Sequence, residues 1–211
     1  MTHSLHRFGD RESLREDFVW LTYQTKGIND KNLAPVMREI VAIAEESGSI
    51  NWGDVKTGSV LAVSAEEIKS RLKDSSRIRG VFTSRQQVVE FLKRLKERDF
   101  GQSVVISGLL DEVLAACREA GVTPHTINFS LGIWGKKELL PEEDVLAITS
   151  MCGHHLISPN LVRTLRERVR AGRLSAEKAA RALGRLCPCG IFNPERTRRL
   201  LEGTPAQPPD D

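Results

Sequence analysis

Three cysteines in the last third of the chain, Cys152, Cys187 and Cys189, are the residues best suited to metal chemistry. Cys152 is closely followed by the dipeptide His154-His155, and the other two flank a single proline. In a reducing compartment, a close group of cysteines indicates a metal site or a catalytic site rather than a disulfide framework. The sequence therefore predicts one metal centre built from these three thiols.

The elements around the cysteines explain how residues so far apart in sequence meet. Cys152 lies in a short loop between two predicted helices, and Cys187 and Cys189 lie in the loop before the last helix. Between the two loops, helices predicted to start at Pro159 and Ser175 form an antiparallel hairpin, which returns the chain to its starting end. We therefore expect both cysteine loops at the same end of this hairpin.

Three thiolates suit an iron-sulfur cluster, and this is the first hypothesis. An electron-carrying 4Fe-4S cluster takes four cysteines, but the remaining one, Cys117, falls on the apolar face of a predicted helix and is expected in the core. One iron would then lack a protein thiolate and act as a Lewis acid. We expect lyase, hydratase or desulfuration chemistry on a small anionic substrate, with His155 transferring protons.

Other interpretations stay open on the same residues. The chain is alternatively an electron-transfer or binding subunit of a larger iron-sulfur complex, which an acidic partner protein meets through the arginine-rich C-terminal helices. A second alternative is a zinc protein with a Cys3His site, in which either His154 or the adjacent His155 is the fourth ligand. The third is free thiols without any metal.

Two further places are candidate parts of a site. Ser107 and Gly108 join a predicted strand to a helix start, where backbone amides can bind an anionic cofactor. His125 lies in a predicted strand, HTINFSLGIWG, whose end we expect beside the cysteine loops, so it is a second acid/base candidate. The chain lacks the H-E-x-x-H and dinucleotide-binding patterns, which disfavours metalloproteases and nicotinamide enzymes.

Residues 1–138 alternate strands with helices of about a dozen residues, which predicts crossover connections. The predicted fold is α/β, with a mainly parallel or mixed sheet and flanking helices. Residues 139–203 have helical periodicity throughout, and the proline-rich residues 204–211 are predicted to be a disordered tail. Two helix starts are marked by Ser158-Pro159 and Asn193-Pro194, and a capping box by Ser84 with Gln87.

Charge and hydropathy limit the possible partners. The 31 basic residues are nearly matched by 28 acidic ones, so a net charge of +3 does not suggest a nucleic-acid partner. No apolar run is long enough for a bilayer, and the first residues lack the apolar stretch of a secretory signal. We expect a cytoplasmic protein with neither a nucleic-acid nor a membrane partner.

Overall fold

The computed structural model describes residues 4–203, so the predicted disordered tail at 204–211 lies outside the described residues. In chain order the elements are α1 (Arg11–Leu14), β1 (Phe18–Tyr23), α2 (Leu33–Glu46), β2 (Asn51–Asp54), β3 (Gly58–Ser59), α3 (Ala65–Arg71), β4 (Ile78–Phe82), α4 (Arg85–Arg98), β5 (Ser103–Ser107), α5 (Leu110–Glu119), a 3-10 turn (Lys137–Leu139), α6 (Glu143–Thr149), α7 (Pro159–Arg170), α8 (Ala176–Gly184) and α9 (Pro194–Glu202).

The five strands form one sheet in the order β3-β2-β4-β1-β5, and every neighbouring pair is antiparallel. The prediction of a mainly parallel or mixed sheet is therefore wrong. Helix α2 does join two strands of the same direction, β1 and β2, but β4 lies between them. Helix α4 likewise joins β4 to β5 across β1. The sequence predicted these crossover connections. It did not predict that a strand of each β-α-β unit is inserted between the two strands of the other unit, because that arrangement depends on contacts distant in sequence.

Helices cover both faces of the sheet. Successive strand residues point to opposite faces, so Trp20 packs with α2 to α5 whereas its neighbour Val19 packs with α6 to α9. On the first face, the ring of Phe91 lies 5.2 Å from those of Trp20 and Phe82, measured between centroids. Cys117 belongs to this first core, as predicted. The second core holds the other three cysteines.

Most of the local helix signals read from the sequence are confirmed, but the side chain of Ser158 makes no capping hydrogen bond at the start of α7. Ser84 and Gln87 form a reciprocal capping box at the start of α4, and Pro159 and Pro194 are the first residues of α7 and α9. Regular structure in the described residues after 139 is helical only. None of the described helices is long and apolar enough to cross a bilayer.

The predicted strand around His125 is absent. Residues 123–136 form neither strand nor helix, and every residue from 123 to 140 is exposed. The alternation of apolar residues in this segment is a strand pattern, but the segment has no hydrogen-bonded neighbour within the described chain. A strand cannot be stable alone, so the pattern by itself gave the wrong structure.

Candidate metal centre

The side chains of Cys152, Cys187 and Cys189 are completely buried in the second core, where the two loops meet. The sulfur atoms of Cys187 and Cys189 are 3.8 Å apart, and Cys152 lies within hydrogen-bonding range of Cys187. On the outer side, Nδ1 of His154 is 3.6 Å from the sulfur of Cys189. The structure thus brings together four of the residues singled out from the sequence.

Two tight turns set the positions of the sulfur atoms. After α6, the amide of Cys152 donates to the carbonyl of Thr149, and the amide of His155 donates back to Cys152. After α8, the amide of Gly190 donates to the carbonyl of Cys187, which closes a four-residue turn around Pro188. Proline in the second position and glycine at the end are typical of such turns. The run Cys-Pro-Cys-Gly is therefore a turn that points two sulfurs into one space.

Two glycines allow the cysteine turn to lie directly on strand β2. A Cβ atom at Gly190 would be 2.2 Å from the carbonyl carbon of Trp52, and one at Gly53 would be 2.9 Å from the carbonyl oxygen of Pro188. Either side chain would overlap the opposite backbone, so the contact needs glycine on both sides. Sequence reasoning missed Gly53, although its place beside Trp52 in a short strand is a signal of close backbone approach.

The thiols have strongly perturbed acidities. The pKa of Cys189 is lowered to about 5, chiefly by its hydrogen bond with Cys187 and further by the amide of Ile191 and the nearby His154 and Arg79. The pKa of Cys152 is lowered to about 6, also chiefly by the hydrogen bond with Cys187. The pKa of Cys187 is raised because its proton is shared with both neighbours and because it is buried. The group therefore favours two thiolates that share one thiol proton.

Arg79 is the part of this site that sequence reasoning missed. It lies on β4 between Leu21 and Gly53 in the sheet register, on the face that carries the cysteines. Only 6% of its surface is exposed, and its Nε and Nη1 atoms have no hydrogen-bond partner among residues 4–203. An isolated buried cation is costly, so the neighbouring thiolates are its natural countercharge. The sequence signal that could have identified this residue is a charged side chain within the otherwise apolar segment Ile78–Phe82.

A buried ion network anchors the residues that follow the cysteine turn. Asp17 Oδ2 lies 2.9 Å from Nη1 of Arg196 and 3.3 Å from Nε of Arg7. Arg7 also donates to the carbonyl of Ile191, whose amide contacts the sulfur of Cys189. The N-terminal segment thus fixes the backbone that supports one of the three sulfurs.

The remaining candidates lie elsewhere or serve local roles. His155 is exposed beside the site with a left-handed φ of 56°, and His125 is exposed and hydrogen-bonds Thr126. The hydroxyl of Ser107 is 2.8 Å from that of Ser4, and Gly108 packs against Phe18. The structure does not gather these residues around the sulfurs by any contact in the described chain.

The arginine-rich face predicted in the C-terminal helices is partly neutralised within the chain. Arg163 pairs with Glu142, which lowers the pKa of that carboxyl to about 2, and Arg166 pairs with Asp144. Arg198 and Arg199 both pair with Glu195, and Arg196 is buried. The unpaired positive charge available to an acidic partner is therefore smaller than the sequence suggested.

The distances between the donor atoms bear on which of the two predicted metal groups the site suits. Within residues 4–203, no group of three or more His, Cys, Asp or Glu side chains is already arranged to hold a metal ion. Zinc bonds are about 2.3 Å long to sulfur and about 2.0–2.1 Å long to nitrogen. In tetrahedral geometry, two sulfur ligands are therefore about 3.8 Å apart, and a sulfur and a nitrogen ligand about 3.5–3.6 Å apart. The two distances measured here match these values. In a 4Fe-4S cluster each thiolate binds a different iron, so the sulfurs lie farther apart.

Comparison of the chain with protein-family models, with curated proteins and with solved structures finds no match. The chemistry of the site therefore has to be argued from its own residues.

Proposed function

We propose that Cys152, Cys187, Cys189 and His154 bind one metal ion in tetrahedral geometry, and that this ion is zinc and stabilises the fold. The observation that supports this proposal is the pair of distances between Cys187, Cys189 and His154, 3.8 and 3.6 Å. Because the ligands do not converge completely as they stand, binding requires small rotations of these side chains. A Cys3His set is a common structural zinc site.

The charges of the centre support the same assignment. Three thiolates and a neutral imidazole around Zn²⁺ carry a net charge of −1, and the guanidinium of Arg79, whose Nε and Nη1 have no hydrogen-bond partner within the described chain, supplies +1. Burying the group then leaves no uncompensated charge. The lowered pKa values of Cys152 and Cys189 also reduce the cost of deprotonating the ligands near neutral pH.

Coordination by four protein residues leaves no open position, which is typical of structural rather than catalytic zinc. Backbone amides of Leu156 and Ile191 contact the sulfurs of Cys152 and Cys189, and such contacts hold ligands in a fixed orientation. We infer that the ion links the loop after α6 and the loop after α8 to strand β2. A cytoplasmic, reducing compartment, which we also infer, would keep these cysteines as thiols.

The second candidate is the 4Fe-4S cluster with an open iron. One observation favours it: His154, which contacts the buried sulfur of Cys189, is itself exposed. Displacing this side chain would open a fourth position to a small anionic substrate or an acidic partner protein. In that case Cys152, Cys187 and Cys189 would hold the cluster, and an iron would supply Lewis-acid chemistry. His154, whose Nδ1 lies 3.6 Å from the sulfur of Cys189, and the adjacent exposed His155 would be the groups able to donate a proton.

The deciding experiment is anaerobic purification followed by metal analysis and a visible spectrum of the wild type and three variants. We expect a colourless protein with one zinc per chain, which is lost in Cys189→Ser and weakened in His154→Ala. Cys117→Ser is the matched control, because Cys117 lies in the other core. A brown protein that contains about four irons and keeps them in His154→Ala would support the second candidate. Full occupancy in Cys189→Ser would refute both.

A further inference from the structure

Residues 123–140 form an exposed arm between α5 and α6. The arm contains only a short 3-10 turn at Lys137–Leu139, and each of its hydrogen bonds in the described chain joins two residues of the arm. It nevertheless carries seven exposed large apolar residues: Ile127, Phe129, Leu131, Ile133, Trp134, Leu139 and Leu140. A continuous apolar segment of this kind is unusual on a free surface and indicates an interaction site.

The spacing of these residues shows which structure the arm is suited to. Ile127, Phe129, Leu131 and Ile133 alternate with other residues, and this period of two is the pattern of a strand with one apolar face. Phe129 is 61% exposed and Leu131 is 82% exposed, so the chain alone leaves that face in water. The arm therefore has the pattern of a strand without a strand partner.

The same chain also has a strand edge without a neighbour. β5 is the last strand of the sheet and pairs only with β1 in the described residues. Its apolar residues Val104, Val105 and Ile106 are only half-buried. An open edge with apolar side chains readily accepts an added strand, because the backbone groups on that side remain unpaired.

We propose that the arm of one copy adds to the free edge of β5 in a second copy, and that the reciprocal contact makes a two-fold homodimer. In a two-fold dimer the same contact occurs twice: the arm of each copy pairs with the β5 edge of the other copy. One chain therefore supplies both the arm and the edge. Covering seven large apolar side chains on each of two copies would bury on the order of 1,500 Å², which is the size of a stable protein interface. This proposal does not depend on the metal.

Light scattering after size-exclusion chromatography tests the oligomeric state. We expect the wild type to be a dimer and the double variant Phe129→Asp/Leu131→Asp to be a monomer at the same micromolar concentration. Ile28→Asp is the matched control, since Ile28 is also 82% exposed but lies outside the arm, and it should remain dimeric. The arm shares no hydrogen bond with the rest of the described chain, so the circular dichroism of the variants should equal that of the wild type.

Hydrogen exchange then tests how the copies pair. In the wild type, amides in residues 126–134 and the β5 amides that face away from β1 should be protected, and both sets should exchange at least tenfold faster in the double variant. A monomeric wild type would overturn the proposal, as would a dimer that persists in the double variant. A dimer in which the outward amides of β5 are unprotected would overturn the arm-to-edge pairing.

Discussion

Substituting Gly190 by alanine should destabilise the protein and loosen the metal centre together. Two costs contribute. Gly190 has a φ of +80°, and placing a residue with a Cβ in that region costs about 1–2 kcal/mol. The added atom would also lie 2.2–2.3 Å from backbone atoms of Trp52 and Gly53, and relieving such overpacking costs about 1–3 kcal/mol.

The expected loss for Gly190→Ala is therefore about 2–5 kcal/mol of unfolding free energy. For a chain of this size each kcal/mol lowers the melting temperature by about 2–4 °C, so we expect a decrease of roughly 5–20 °C. The turn must also move away from β2, which displaces the sulfur of Cys189. Metal content should fall in the same variant, and calorimetry with metal analysis measures both effects.

The matched control is Gly172→Ala. Gly172 has a φ of +67°, but a Cβ there would meet no atom of the described residues within 4 Å. It carries the conformational cost without the clash, so the loss should be about 1–2 kcal/mol with full metal content. Equal losses of stability and metal in the two variants would refute the argument that close backbone contact with β2 positions the cysteine turn.

Two further predictions concern the electrostatics of the centre. Arg79→Met should lower zinc affinity by about 10–100-fold in a chelator competition, because it removes the countercharge of a ligand. Arg77→Met, at an exposed position on the same polypeptide segment, should leave zinc affinity unchanged. In metal-free protein, folding lowers the pKa of Cys152 from 9.0 to about 6 and that of Cys189 from 9.0 to about 5. Both thiolates therefore stabilise the folded state fully above about pH 9. This stabilisation is lost as the pH falls towards about 5. Melting temperatures from pH 9 to pH 5 should therefore decline more steeply in the wild type than in Cys152→Ser/Cys189→Ser, and parallel curves would contradict the thiolate assignment.

Local signals in the sequence were sufficient for the helices and for the meeting of the cysteines. Ser158-Pro159 and Asn193-Pro194 fix helix starts by backbone chemistry that does not depend on the rest of the fold. The hairpin of α7 and α8 then brings the two cysteine loops together, because short connections make neighbouring helices antiparallel. These inferences use contacts within a few turns of chain.

The sheet order and the countercharge could not be obtained in the same way. Whether β4 lies between β1 and β2 depends on pairing across tens of residues, and the β-α-β pattern is compatible with either arrangement. The role of Arg79 becomes visible only when β4 lies beside β2, since it then lies opposite Gly53 under the cysteine turn. The arm around Phe129 shows a related limit, because periodicity reports what a segment can pair with but not which chain supplies the partner.

The position of the centre suggests why a metal would be useful in this fold. Helices α6, α8 and α9 have seven to nine residues each, and helices of this length are not stable by themselves. Their packing depends on the second core, in which the three cysteines are buried. An ion bound there would add the free energy of coordination to that packing. Its stabilising effect would then be concentrated in α6 to α9, while the first core around Trp20 and Phe91, which contains no ligand, would retain its structure without it.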